Sequence, residues 1–94
     1  MRVRPNKTIV RGRVCAIHPE PDGGGAEEEI EVMGNESPRP DDDFLRPQDG
    51  SILKAFCSDP NQVRVGELVR ATAHLNASPR VGRAVLQEVE PVKN

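Results

Sequence analysis

Apolar residues recur at every second position in five stretches of the chain, and nowhere keep the three-and-four spacing of a long amphipathic helix. From Lys7 to Ile17, Val10, Gly12, Val14 and Ala16 share one face while Arg11 and Arg13 share the other. Glu28 to Gly34 repeats the alternation, with Ile30 and Val32 expected inward and Glu29 and Glu31 outward. Ser51 to Ser58 sets Leu53, Ala55 and Cys57 against Lys54 and Phe56. Glu67 to Leu75 sets Val69, Ala71, Ala73 and Leu75 against Leu68, Arg70, Thr72 and His74. Arg83 to Val92 completes the set. Each stretch reads as a strand with one face buried.

The segments between them are rich in chain-turning residues. His18 to Ala26, with two prolines and three consecutive glycines, reads as a flexible connection rather than a strand. Asn35 to Gly50 is the longest irregular stretch, carrying Pro38, Pro40, Pro47 and the run Asp41-Asp42-Asp43. Loops of that length in a compact domain are usually functional or disordered. Asp59-Pro60-Asn61 marks a turn and leaves room for at most one short helical turn before the next strand. Gly12 sits in mid-strand, where a glycine permits the bend that lets one long strand serve two sides of a barrel. Five strands on so short a chain favour closure, because a barrel leaves fewer unpaired edges. The expected fold is therefore all-β, a five-stranded closed or partly open barrel. Residues 1–94 form a single domain, with 1–6 a flexible N-terminus and 35–50 a long Pro-rich acidic loop.

Composition narrows this further. Hydrophobic residues make up 35% of the 94 positions and aromatics only 2%, so the core must be built from Val, Ile, Leu and Ala. A core of that size holds a compact barrel but does not also wall a deep substrate cavity. No run approaches the roughly 20 apolar residues of a membrane helix, and Met1 to Pro5 lacks the hydrophobic segment of a signal peptide. The expectation is a cytoplasmic protein with no membrane partner, in which Cys15 and Cys57 are free thiols.

The stretch Gln62 to Leu75 (QVRVGELVRATAHL), followed after a short loop by Gly82 to Pro91 (GRAVLQEVEP), resembles the last hairpin of OB-fold (oligonucleotide/oligosaccharide-binding) proteins. In that family a V-x-V-G-x-x-V entry, here Val63 to Val69, commonly leads into the fourth strand. Thr8 to Val14 (TIVRGRV) is similar to the family's first strand. The long connection between the second and third strands is similar to that of bacterial single-stranded-DNA-binding and primosomal proteins. The resemblance spans most of the chain and consists of glycines and alternating aliphatics, a pattern that speaks to fold more than to function.

That resemblance implies a ligand face on the outward sides of the second and third strands, flanked by the loops between strands one and two and between strands four and five. Candidates for contacting single-stranded DNA or RNA there are Arg11, Arg13, Lys54, Phe56, Arg70, Arg80 and Arg83. The arginines and the lysine would follow phosphates, and Phe56 would offer a ring for base stacking. The charge is segregated around a net of −2. The N-terminal stretch is basic, whereas between Glu20 and Asp43 ten acids face Arg39 alone. Glu29 and Glu31 would then stand where phosphates have to pass, which erodes nucleic-acid affinity. A protein partner is the alternative, taken by the acidic loop or a barrel edge, with Phe44 and Leu45 as anchor and Asp41, Asp42 and Asp43 as charge. Phe44 and Leu45 would equally serve to fold back and plug one end of the barrel. On sequence, a non-catalytic module for single-stranded nucleic acid stands slightly ahead of a protein-binding one.

Other chemistry finds little footing. Cys15, His18, Cys57 and His74 lack the paired spacing of a structural zinc site, and the triple-aspartate run lacks the spaced ligands of a calcium loop. No nucleophile–base order or phosphate-binding glycine loop followed by a helix is present. The expectation is no enzyme, no metal and no cofactor.

Overall fold

A computed structural model describes residues 7–21, 23–39, 41, 43, 45–59, 63–77 and 82–92, the side chains of 76, 77, 82 and 83 excepted. Its strands are β1 (Thr8–Pro19), β2 (Ala26–Asn35), β3 (Ile52–Cys57), β4 (Leu68–Ala77) and β5 (Gly82–Pro91). They close into a barrel in the order β1-β2-β3-β5-β4, with β1 and β4 completing the ring. Every pairing is antiparallel except β3 with β5, which run parallel over Ala55↔Ala84 and Phe56↔Val85. No α-helix occurs among the described residues.

The long first strand is what makes closure possible. β1 pairs with β4 from Thr8 to Arg13 and with β2 from Val10 to Pro19, so its middle is shared by both neighbours. The β1–β2 register slips between Arg11 and Gly12. A Cβ at Gly12 would collide with the Glu31 carbonyl oxygen and stand 2.7 Å from Ile30 Cγ2. Only a residue without a side chain lets the two strands approach so closely at the bend.

The barrel is filled rather than hollow. Val10, Val14, Ile30, Val32, Val69, Ala71, Ala73, Ala84 and Leu86 converge in its centre, with Ala55, Cys57, Val63 and Val89. Val10, Val14, Ile30, Val32, Ala55, Cys57, Val69, Ala71 and Ala73 lie inside as alternation predicts, and the alanines keep the facing walls close.

Two features depart from the expected strand boundaries and phases. His18 and Pro19 are strand residues paired with Glu27 and Ala26, so the connection shrinks to Glu20–Gly25. That turn is tied by the Glu20 amide to the Gly25 carbonyl at 2.9 Å. Pro19 is tolerated because it ends its strand, where a missing donor interrupts no ladder. A second register slip between Val14 and Ala16 changes the phase of β1, so that Ile17 joins the core in the place expected for Ala16. The described residues between 35 and 50 are tied to the barrel at several points. The Glu36 amide donates to the Ile9 carbonyl at 2.8 Å and the Gly50 amide to the Val32 carbonyl at 2.7 Å.

Candidate binding surfaces

Alternation that sends aliphatics inward sends β1, β2 and β3 outward with charge. Along β2 the outward row is Glu27, Glu29, Glu31 and Met33. On β3 it is Ile52, Lys54 and Phe56, standing opposite Glu31, Glu29 and Glu27 in turn. Met33 is 49% exposed and Ile52 46%, and Met33 stands two residues beyond Glu31, the partner of Ile52, which makes the two diagonal neighbours. His18 Nε2 lies 2.6 Å from a Glu29 carboxylate oxygen and ties the end of β1 to the same row.

The cationic candidates divide into two groups. Arg11 and Arg70 are direct cross-strand partners on β1 and β4, and Arg13 lies one outward step away. Arg70 Nε donates to Glu36 at 3.1 Å, and Arg13 Nη1 donates to the Gly66 carbonyl at 2.7 Å. Lys54 and Phe56 lie on β3, separated from those arginines by the glutamates of β2. Of the seven residues proposed for nucleic acid, the five whose side chains are described fall in two groups, with the β2 glutamates between them. Phe56 has the outward parity expected but is half-buried. A Cβ at Gly25 would come within 2.9 Å of its Cζ, so the β1–β2 turn covers one edge of the ring. Arg80 lies outside the described residues, and so does the side chain of Arg83, whose backbone is in β5.

The acidic loop is rearranged more deeply. Asp41 is exposed, Asp42 and Phe44 lie outside the described residues, and Leu45 packs against the core as the plug reading expects. Asp43 is only 4% exposed, so its carboxylate faces the protein rather than a partner. It accepts from the Thr8 hydroxyl at 2.5 Å, the Asn35 side-chain amide at 2.6 Å and the Arg46 backbone amide at 2.8 Å. Burial alone would raise the Asp43 pKa, but these donors and the Leu45 amide outweigh it and hold the carboxyl below the usual aspartate range. Asp43 is a structural staple.

A second buried carboxylate was hidden in the alternation. Glu28 shares the inward parity of Ile30 and Val32 and is fully buried, opposite Ile17 on β1 and Ala55 on β3. Neither of its oxygens has a hydrogen-bond partner. The Cys57 thiol, a diagonal neighbour, is a weak donor that offsets part of the cost of burial without completing a bond of ordinary geometry. Burial accordingly pushes the Glu28 carboxyl above the usual glutamate range. The Cys57 thiol is itself pushed up to about 11, first by burial and further by Glu28, against the opposing Asp59 amide. At neutral pH such a thiol is inert. Parity from Ile30 and Val32 was the signal that could have found Glu28. Met33 and Ile52 were equally readable as apolar positions on the wrong face.

The other outer wall holds a shallow cleft of about 180 Å³ over β1, β4 and β5, lined by Lys7, Ile9, Arg70, Thr72, Glu88 and Glu90. Its charges are mixed. The thiol and imidazole residues considered for a metal are spread apart, Cys15 exposed on β1 and Cys57 in the core, and no group of three or more metal-ligating residues assembles among the described residues. No helix is long and apolar enough to cross a membrane among the residues described. No family model matches the chain, and no match is found among curated proteins or solved structures.

Proposed function

We propose that this chain is a non-catalytic binding module on an OB-like barrel, and that it docks a protein segment carrying basic residues on the outer face of β2 and β3. Support for the OB-like reading comes from the ring order β1-β2-β3-β5-β4 and the parallel β3–β5 pair. The observation that carries the ligand reading is the β2 row itself. Glu27, Glu29 and Glu31 run along one strand and end at the exposed Met33–Ile52 pair. Carboxylates in that position repel a phosphate backbone and steer a cationic partner, while the two aliphatics supply the apolar centre that an interface needs.

A peptide-display selection against the folded domain tests this. The expected outcome is enrichment of sequences that combine Lys or Arg with bulky aliphatic or aromatic residues. Selected peptides should lose on the order of tenfold in affinity to the Glu29→Lys/Glu31→Lys variant. Enrichment of acidic peptides, or of none, overturns the reading.

Single-stranded nucleic acid is the second reading, and a different wall favours it. Arg11 and Arg70 face each other directly across β1 and β4 with Arg13 one outward step away, which sets three guanidinium groups along one strip, Arg70 being already paired with Glu36. Anisotropy of labelled single-stranded DNA and RNA at two salt concentrations separates the two readings. Binding that falls steeply with salt and is lost in Arg11→Gln/Arg70→Gln places the ligand on that strip.

A further inference from the structure

Among the described residues, Glu28 is the one fully buried side chain whose charge-bearing atoms lack a partner, in an otherwise aliphatic interior. An ionised carboxylate there would be several kcal/mol unfavourable unless it were paired, solvated or expelled. Among the described residues, none that faces it can pair it. β3 presents Ala55 and the Cys57 thiol, with Asp59 beyond it, and β1 presents Ile17. No cation acts on Glu28 among the described groups.

The surroundings are built to give at this corner. β1 carries its second register slip between Val14 and Ala16, immediately before Ile17 meets Glu28. β2 begins two residues before Glu28, at Ala26, and β3 ends two residues beyond its partner Ala55, at Cys57. Gly25, at φ +123°, packs its backbone against the Cys57 carbonyl and the edge of Phe56. The corner is therefore a strand start, a strand end and a tight turn held together around one carboxyl group.

We propose that Glu28 is a proton-operated latch: while its carboxyl is neutral the corner of β1, β2 and β3 closes over it, and ionisation opens that corner, uncovering Cys57 and releasing Phe56 from Gly25. The closed state needs no further partner, because a neutral carboxyl loses far less on burial than a carboxylate. The open state admits water to Glu28 and leaves the distant end of β2, where Asp43 is bonded, in place. The latch does not depend on which ligand the outer walls take.

Thiol labelling reads the opening directly. In a Cys15→Ser background, Cys57 becomes the sole target for a disulfide exchange reagent, and labelling is followed from about pH 5 to about pH 8. The reference is the same background carrying Glu28→Gln, and because Glu28 itself raises the Cys57 pKa, each rate is first divided by the thiolate fraction from that protein's own thiol titration. With Glu28 present, the labelling rate should climb on the order of tenfold more across that range than with Glu28→Gln. Equal climbs in the two proteins overturn the latch. Should Glu28→Gln fail to fold, Glu28→Met takes its place, since a thioether of similar length carries no polar atom to bury. Carbon-13 titration of the Glu28 carboxyl in the unsubstituted protein is the independent check. A midpoint above the ordinary glutamate range, moving together with the Ala26 and Cys57 amide signals, supports the proposal. A midpoint within that range, or amide signals that stay still through the titration, ends it.

Discussion

Asp43 and Glu28 are both carboxylates shut inside the barrel, at opposite ends of β2, and they are treated in opposite ways. Asp43 comes from a loop and meets three donors, from the first residue of β1, the last residue of β2 and its own turn. Glu28 comes from a strand, where the ladder fixes its direction and aliphatic neighbours surround it. Seven residues separate Glu28 from Asn35, or roughly 23 Å of extended chain, so each end answers to its own chemistry. A loop residue can be placed where donors are already waiting. A strand residue must accept what its register gives. The first carboxylate fastens its end of the barrel, and the second makes its end conditional on a proton.

The largest expected effect comes from breaking the satisfied end. Asp43→Ala removes the acceptor shared by the Thr8 hydroxyl, the Asn35 side-chain amide and the Arg46 backbone amide. Thr8 is itself fully buried, so it cannot turn to water. The loss should be about 3 kcal/mol, seen as a Tm lower by on the order of 10–20 °C in a domain of this size. Should Asp43→Ala cost no more than an exposed loop substitution, the staple assignment is wrong.

Next in size is relief of the unsatisfied end. Glu28→Met replaces a buried, unpartnered carboxyl with an apolar chain of similar length and should stabilise the folded state by about 1–3 kcal/mol at neutral pH. Chemical denaturation gives the difference, and a destabilised variant would mean that Glu28 finds a partner in solution.

The two carboxylates also tilt stability against pH in opposite directions. The Asp43 pKa is lowered by folding. Its stabilisation is therefore complete above the unfolded aspartate value and lost as pH falls through the folded one. The Glu28 pKa is raised. Its contribution is fully present below the unfolded glutamate value and lost as pH rises through the folded one. Melting across pH should show Glu28→Met flattening the decline on the alkaline side and Asp43→Asn flattening the decline on the acid side. Exchanged effects would reverse the assignments.

Much of this was legible in the chain, and what was not has a physical reason. The strands, the inward faces of β3 and β4 and the bend at Gly12 follow from period-two alternation and from a glycine where no Cβ fits. The Ile17 phase was lost because a bulge after Val14 resets parity and leaves no mark in composition. Glu28 was legible by parity, yet its charge argued for the outside, and burial of a lone carboxylate is rare enough to be discounted. Asp43 was read with its neighbours as solvated charge because its donors lie 35 residues back at Thr8 and eight back at Asn35. The split of the arginines from Lys54 and Phe56 follows from ring order, with β2 between them, which local pattern does not convey.

The smallest effect isolates the backbone's share in the satisfied end. Arg46 has φ of +43°, a left-handed conformation that disfavours any residue with a Cβ. It is held there while its amide donates to Asp43 at 2.8 Å. Arg46→Gly keeps that amide and removes the Cβ strain, while its added freedom in the unfolded chain costs part of the gain. The expected outcome is a change of about 0.5 kcal/mol toward stability, with the acid-side pH dependence of Asp43 intact. Arg46→Pro, which deletes the donor and cannot adopt the positive φ, should instead weaken the loop in the same direction as Asp43→Ala. A stabilising or neutral Arg46→Gly would show that the Arg46 side chain is not needed to hold this turn, whereas the effect of Arg46→Pro combines the lost amide with the forbidden φ. Equal destabilisation by both would mean that the Arg46 side chain, not its amide, holds this turn.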